Sequence, residues 1–262
     1  MKSETDGPIR ILTLDRPEKL NAMNSEAWTD LLRELRTAED DPSIRVVLLR
    51  SQGRAFCAGN DIKETNAFTT RAQTRAYFLD LMVPTITAMA GSRLPIVAEV
   101  QGMALGAGME LLQFCDVVVA SDAAVFRLPE TSIGLWATVF LGSASYTTSR
   151  RMTQYLALTG EPVSAQEALE AGLITRVVAP DDLERVGGEV AATIARNAPR
   201  ATALSKKFAN HTMLTESLPV VREALSVLID ETFSGQEGVE GVASFLEKRA
   251  PVFADVTNVH GR

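Results

Sequence analysis

Residues 9–14 alternate apolar and polar side chains with the period of a half-buried strand, and the run stops at Arg16-Pro17. The period then lengthens. Ser25 reads as an N-cap, and Trp28, Leu31, Leu32 and Leu35 follow at helical spacing, which predicts an amphipathic helix to about residue 39. Asp41-Pro42 breaks that helix, and 44–49 is the continuous apolar run of a strand covered on both faces. A turn region over 53–59 and a polar stretch over 64–75 lead into a helix at 74–90, where Pro84 predicts a kink or break. Further strands are expected at 94–100, 116–120 and 124–127, with a short helix at 109–114. This interleaving indicates an α/β domain on a mostly parallel sheet.

The rest of the chain is dominated by helix. Ser164-Ala-Gln-Glu167 fits a capping box, Gly172 a helix stop, and 174–178 a short strand. Past Pro180, helical patterns cover 181–197, 200–215, 219–233 and 236–248. The chain therefore divides into a core, 1–197, and a helical subdomain, 198–262, with no low-complexity linker between them. Leu225, Leu228, Ile229 and Phe233 give the late helices more apolar surface than a thin appendage can bury, which predicts an interface.

Composition narrows the function classes. A chain of 262 residues, 46% of them hydrophobic, can bury a sizeable core. A net charge of −7, with no Lys/Arg stripe interleaved with aromatics, argues against nucleic acid as a partner. Locally placed lysines can still meet an anionic ligand. Cys57 and Cys115 stand in unlike contexts and suggest neither a disulfide framework nor a metal cluster. His211 and His260 lack ligand spacing, which argues against a zinc site or a Ser-His-Asp triad. The first seven residues are acidic and have no apolar core. The apolar stretch 79–109 is interrupted by Arg93, Glu99 and several glycines. Neither a leader nor a membrane span is expected, and the chain reads as soluble and cytoplasmic.

The candidate chemistry lies in three segments. Gly102-Met-Ala-Leu-Gly-Ala-Gly-Met-Glu110 places three glycines before a helix, out of the order of a dinucleotide fingerprint. The segment serves as a tight strand-to-helix turn, but it also offers free amides near Ala107 at the positive end of the helix dipole. An oxygen gaining negative charge would be stabilised there, given a second donor. Ala58-Gly-Asn-Asp61 is good turn chemistry in its own right, and it can supply that donor through the amide of Asn60. Glu110 suits a first helical turn whatever its function, and Glu130 suits a loop after Pro129. Facing one substrate, the two carboxylates could perform acid/base work.

Leu14-Asp-Arg-Pro-Glu-Lys-Leu-Asn-Ala-Met23, 55–63, 102–116, Pro129-Glu130, 158–160, 164–172 and 241–248 resemble, in order, the segments of the crotonase (enoyl-CoA hydratase/isomerase) superfamily. The resemblance covers nearly the whole chain. It implies a crotonase-like spiral of ββα units with a helical C-terminal trimerisation subdomain, and acyl-CoA thioester substrates. It implies an oxyanion hole from the amides of Asn60 and Ala107, which stand where alanine and glycine are more usual. Coenzyme A would lie along Lys19, Leu20, Ala22, Ala58, Asn60, Asp61, Ile62, Gly106 and Ala107, as part of the substrate and with no separate cofactor or metal. Members that hydrate enoyl thioesters carry both glutamates, so the expected activity is enoyl-CoA hydration by Glu110 and Glu130. The alternatives are double-bond isomerisation, which needs chiefly Glu130, and a non-catalytic or RNA-binding role. The segment 131–140 departs from the Pro- and Gly-rich loop usual in hydratases, and its Trp136 and Phe140 are expected to shape the acyl pocket. Family trimers, often paired into hexamers, imply that Phe245 and Lys248 reach the CoA of a neighbouring subunit.

Overall fold

The computed structural model describes residues 1–253, apart from the side chains of residues 232–234, so His260 and the Phe233 side chain lie outside it. The strands are β1 (Lys2–Asp6), β2 (Ile9–Leu14), β3 (Val46–Ser51), β4 (Ala55–Cys57), β5 (Ile96–Val100), β6 (Met103–Leu105), β7 (Val117–Ser121), β8 (Val125–Arg127), β9 (Val163–Ser164) and β10 (Arg176–Val178). They form one sheet in the order β1-β2-β3-β5-β7-β10 and another in the order β4-β6-β8-β9. Only β1 and β9 run antiparallel to their neighbours among the described residues.

The chain deals strands to the two sheets in turn. β3, β5 and β7 enter the large sheet, and β4, β6 and β8, each a few residues later, enter the small one. This is a spiral of strand pairs with helices between the turns, which matches the expected architecture. At the corner between β5 and β6, a Cβ on Gly102 would stand 2.1 Å from the Arg54 carbonyl, so the turns can stack only with glycine there.

β3 and β5 are buried almost throughout, as their unbroken apolar runs require. The helix Ser25–Asp40 covers one face of the large sheet with Trp28, Leu31, Leu35 and Ala38. The helix Leu183–Arg196 covers the other face through Ala191 and Ala195, against Val46, Leu48 and Val97. The cap of the first of these helices is Asn24, whose side chain accepts from Ala27 N, one residue before the expected Ser25.

Three features depart from the sequence reading. Residues 2–6 pair as a strand through a turn at Gly7, whose φ is 52°. The helix expected at 74–90 is Arg71–Arg75, a π-helical segment Ala76–Met82, and Val83–Gly91. Pro84 lies inside this continuous helical run, two residues after the π-helical segment, so the widened register falls where its ring and missing N–H would interrupt an α-helical ladder. The third departure concerns the late helices. Leu225, Leu228 and Ile229, expected at an interface, are buried within the chain. The helix Leu218–Ser234 joins the main core against Thr138–Ser143, where a Cβ on Gly142 would meet Val221 Cγ2 at 2.6 Å. The exposed apolar residues beyond 197 include Leu204, Phe208, Val220, Val227, Val239 and Phe245.

Candidate active site

Glu110 sits in the first turn of the short helix Ala107–Leu112, which opens from the end of β6. Gly106 makes that opening with φ 51° and ψ −125°, a conformation that favours glycine. The helix presses so closely on β4 that a Cβ on Gly108 would fall 2.3 Å from Cys57 O. Glu110 is consequently buried. Its Oε1 accepts hydrogen bonds from Val139 N at 3.0 Å and Phe140 N at 2.9 Å. Burial raises the Glu110 carboxyl above the ordinary carboxylate range, and the two amides act in the opposite direction.

Glu130 begins a single 3-10 turn, Glu130–Ile133, directly after Pro129. Its Oε2 is enclosed and has no hydrogen-bond partner, and its Oε1 lies 2.7 Å from where a Cβ on Gly106 would stand. The second carboxyl thus abuts the glycine turn that launches the first. Burial is again the largest cause of an upward shift, and the charge of Glu110 adds to it. Ionising one of two enclosed carboxyls at the same turn makes the second harder to ionise, so both are shifted upward. Glu110, with two amides on one oxygen, is the better carboxylate of the two, and Glu130 is the better acid.

The other half of the site is the turn after β4. Met23 forms an isolated parallel bridge with Asn60: Met23 N donates to Gly59 O at 2.8 Å, and Asp61 N to Met23 O at 2.7 Å. In a parallel bridge the middle residue's own N–H points away from its partner. Asn60 N–H therefore faces away from Met23, toward the side on which β4 pairs with β6. Gly59, with φ 99°, brings the two turns together, and a Cβ there would lie 3.6 Å from Ala107 N. Among the described residues, neither Asn60 N nor Ala107 N has an acceptor within the chain.

The structure also gathers the segments expected to hold CoA. Leu20, with φ 51°, accepts through its carbonyl from Ala58 N at 3.0 Å. Arg16 binds Asp61 Oδ2 at 3.1 Å and donates to Ala22 O at 2.5 Å, which clamps the two segments together. Lys19 is exposed beside them, and Ile62 begins the helix Ile62–Asn66. A cavity of about 190 Å³ borders Arg16, Asn21, Ala22 and Met23.

The 131–140 segment divides its expected residues. Trp136 is half-buried at the edge of the core, whereas the ring of Phe140 is fully buried in the core and Phe140 meets Glu110 through its backbone amide. Phe245 and Lys248 are exposed at the end of the helix Gln236–Glu247. That helix packs on the Glu130–Ile133 turn of its own chain, and a Cβ on Gly241 would stand 2.1 Å from Ile133 O. The amides of Val139 and Phe140 were missed from the sequence, because a backbone donor has no side-chain signature. Arg16 was legible only as part of the longer segment.

Among the described residues there is no group of three or more His, Cys, Asp or Glu placed to hold a metal ion, and no helix is long and apolar enough to cross a membrane.

Comparison with known proteins places this geometry among relatives. The family described as enoyl-CoA hydratase/isomerase matches residues 4–256. A protein named probable enoyl-CoA hydratase from Mycobacterium bovis is 35% identical over 95% of this chain and 96% of its own length. A mevalonyl-coenzyme A hydratase from Aspergillus fumigatus is 33% identical over 93% of this chain and 90% of its own. The crystal structure of an enoyl-CoA hydratase/isomerase from Pseudoalteromonas atlantica superposes with a TM-score of 0.86 at 32% identity, covering 97% of this chain and 99% of that one.

Proposed function

The chain belongs to the enoyl-CoA hydratase/isomerase family, and from that premise we propose that it adds water across the C2–C3 double bond of an enoyl-CoA thioester. The observation that carries this reading is the asymmetric carboxyl pair: Glu110 held by two amides, Glu130 enclosed with an oxygen unpartnered.

The two carboxyls hold one water over the double bond. Glu110, the better carboxylate, takes a proton from the water as its oxygen bonds to C3. The C2–C3 π electrons move toward the thioester, and the carbonyl oxygen takes up negative charge between Asn60 N–H and Ala107 N–H. Glu130, the better acid, then gives its proton to C2. The proton left on Glu110 returns to the pair through water exchange, and the cycle needs no metal or redox cofactor. The CoA moiety would run along the joined 19–22 and 58–62 segments, where Arg16 and Asp61 keep the two in register. The relative named mevalonyl-CoA hydratase supports a branched or oxygenated acyl group as readily as a straight one.

A panel of straight, branched and oxygenated enoyl-CoA esters, with products identified by mass, tests this reading. Trp136→Ala should reorder the panel by kcat/KM while the parent hydrates at least one member. A shifted double bond without water uptake would replace hydratase with isomerase. A uniform loss in Trp136→Ala would remove Trp136 from the acyl pocket.

A further inference from the structure

Asn60 enters the proposed hole through its backbone, but its side chain is tied down in a way the reaction does not explain. The Tyr77 hydroxyl stands 2.9 Å from Asn60 Oδ1 and 2.5 Å from Met23 O, and its single proton serves these two acceptors. Trp28 Nε1–H donates to the Tyr77 oxygen at 3.1 Å and lies 3.3 Å from Asn60 Oδ1. Trp28 and Tyr77 are both about 1% exposed. They come from separate elements, the Ser25–Asp40 helix and the π-helical segment Ala76–Met82.

The arrangement holds both sides of one peptide. Met23 pins the turn through the backbone on either side of Asn60, and Tyr77 binds the Met23 carbonyl that accepts from Asp61 N. The peptide that carries Asn60 N–H turns about Gly59 ψ and Asn60 φ; Met23 holds it at the Gly59 carbonyl, but Gly59 at φ 99° offers little resistance of its own, so rotation remains at the Asn60 end. A side-chain tether to a buried tyrosine removes that rotation. The packing supports such a purpose. Tyr77 is gripped edge-on by Phe78 at 5.0 Å and contacts Phe68 at 5.6 Å between ring centroids. A π-helical register aims its residues differently from the flanking α-turns, and such segments recur at functional sites.

We infer that Tyr77 is a positioning residue that acts through the Asn60 side chain, holding the Asn60 amide on the thioester oxygen, with Trp28 fixing the hydroxyl. This rests on the proposed oxyanion hole, though not on hydration as the particular reaction. A donor displaced by a fraction of an ångström loses much of its value to a transition state, while ground-state binding of CoA changes little.

The test uses the full chain and acetoacetyl-CoA, a thioester whose enolate absorbs in the near ultraviolet and requires the same oxygen to be stabilised. The bound enolate fraction is measured at one pH for the parent, Tyr77→Phe, Asn60→Ala and the double variant. Each single change should lower it about threefold or more, and the double variant should be no worse than Asn60→Ala alone. In turnover, Tyr77→Phe should lower kcat roughly tenfold with KM within about twofold. The unfolding midpoint of Tyr77→Phe should stay within about 5 °C of the parent, which separates positioning from a damaged fold. An undiminished enolate band in Tyr77→Phe, or losses that multiply in the double variant, overturns the proposal. A parent that forms the enolate but hydrates no enoyl-CoA ends the hydratase reading, and the band comparison still decides for or against Tyr77. A parent that binds the probe without the band overturns the Tyr77 proposal, and hydration of the ester panel then decides the hydratase reading on its own.

Discussion

Replacing Glu110 by glutamine exchanges one carboxyl oxygen for an NH2 group and leaves the outline of the residue almost unchanged. The oxygen of the new side-chain amide can still accept from Val139 N and Phe140 N, which now bond Glu110 Oε1 at 3.0 and 2.9 Å. The variant loses the base. General acid/base groups contribute about 10²–10⁴-fold, so kcat for hydration should fall by that factor, or about 3–5 kcal/mol at 1.36 kcal/mol per tenfold. Stability should move the other way. Burial raises the Glu110 carboxyl, so the folded state binds its proton more tightly than the unfolded chain. The parent therefore loses stability as pH rises above the unfolded value of about 4.3, and the glutamine variant escapes that loss. Removing the Glu110 charge also lets the Glu130 carboxyl titrate lower. The assays are steady-state hydration of the best ester from the panel, thermal unfolding from about pH 5 to 8, where this loss accumulates, and acyl-CoA binding, which should hold within a few-fold. Hydration at the parent rate would refute the pairing of base and acid and leave isomerisation as the leading activity. Lost activity with an unfolding midpoint lowered at every pH would mean that the residue supports the fold.

Gly106→Ala should drive a methyl group onto Glu130 Oε1, only 2.7 Å away, from a backbone at φ 51°. A loss of roughly 10²-fold in kcat is expected, with KM little changed, and wild-type kinetics would show that Glu130 is not held against this turn. Glu99 is buried in β5 with Oε1 unpartnered, and burial pushes its carboxyl up to about 7 despite the opposing charge of Arg50. The folded state thus loses stability as pH rises from about 4.3 through about 7, and Glu99→Met should be more stable by about 2–4 kcal/mol at about pH 8 but not at about pH 4; equal denaturation midpoints for parent and variant at both pH values would count against it. Truncation after residue 235 strips the helix Gln236–Glu247 from the Glu130–Ile133 turn. Hydration should fall sharply, and light scattering should find the full chain trimeric or hexameric and the truncated chain smaller, as the role that the family resemblance implies for Phe245 and Lys248 at a neighbouring CoA requires; a fully active monomer would sink that role.

Much of this protein is written in local pattern. The capping box is present as read, with the Ser164 side chain accepting from Glu167 N and Glu167 reaching back to Ser164 N. Gly172 adopts φ 80° at the helix stop. The apolar runs of β3 and β5 and the stripe of the Ser25–Asp40 helix lie where their periods predicted, because burial on two faces or one leaves its period in the chain. The ordered segments carrying Glu110 and Glu130 were legible for a related reason: tight turns and close crossings accept few residue types.

Only the tertiary structure could decide the rest. β4 and β6 are three residues each, too short to show a period, and they exist because their neighbours supply the ladder, whereas β8 was legible at 124–127. Leu225, Leu228 and Ile229 read as an interface because a sequence shows that a face is apolar without showing what covers it; the covering surface proved to belong to the same chain. The resemblance already implies Glu110 as base and Glu130 as acid; the physical asymmetry behind that expectation, two amides at residues 139 and 140 and an oxygen of Glu130 that nothing reaches, is visible only in the fold. Amides are the same at every residue, and an unpartnered oxygen is a property of its surroundings, so neither leaves a mark in the order of side chains.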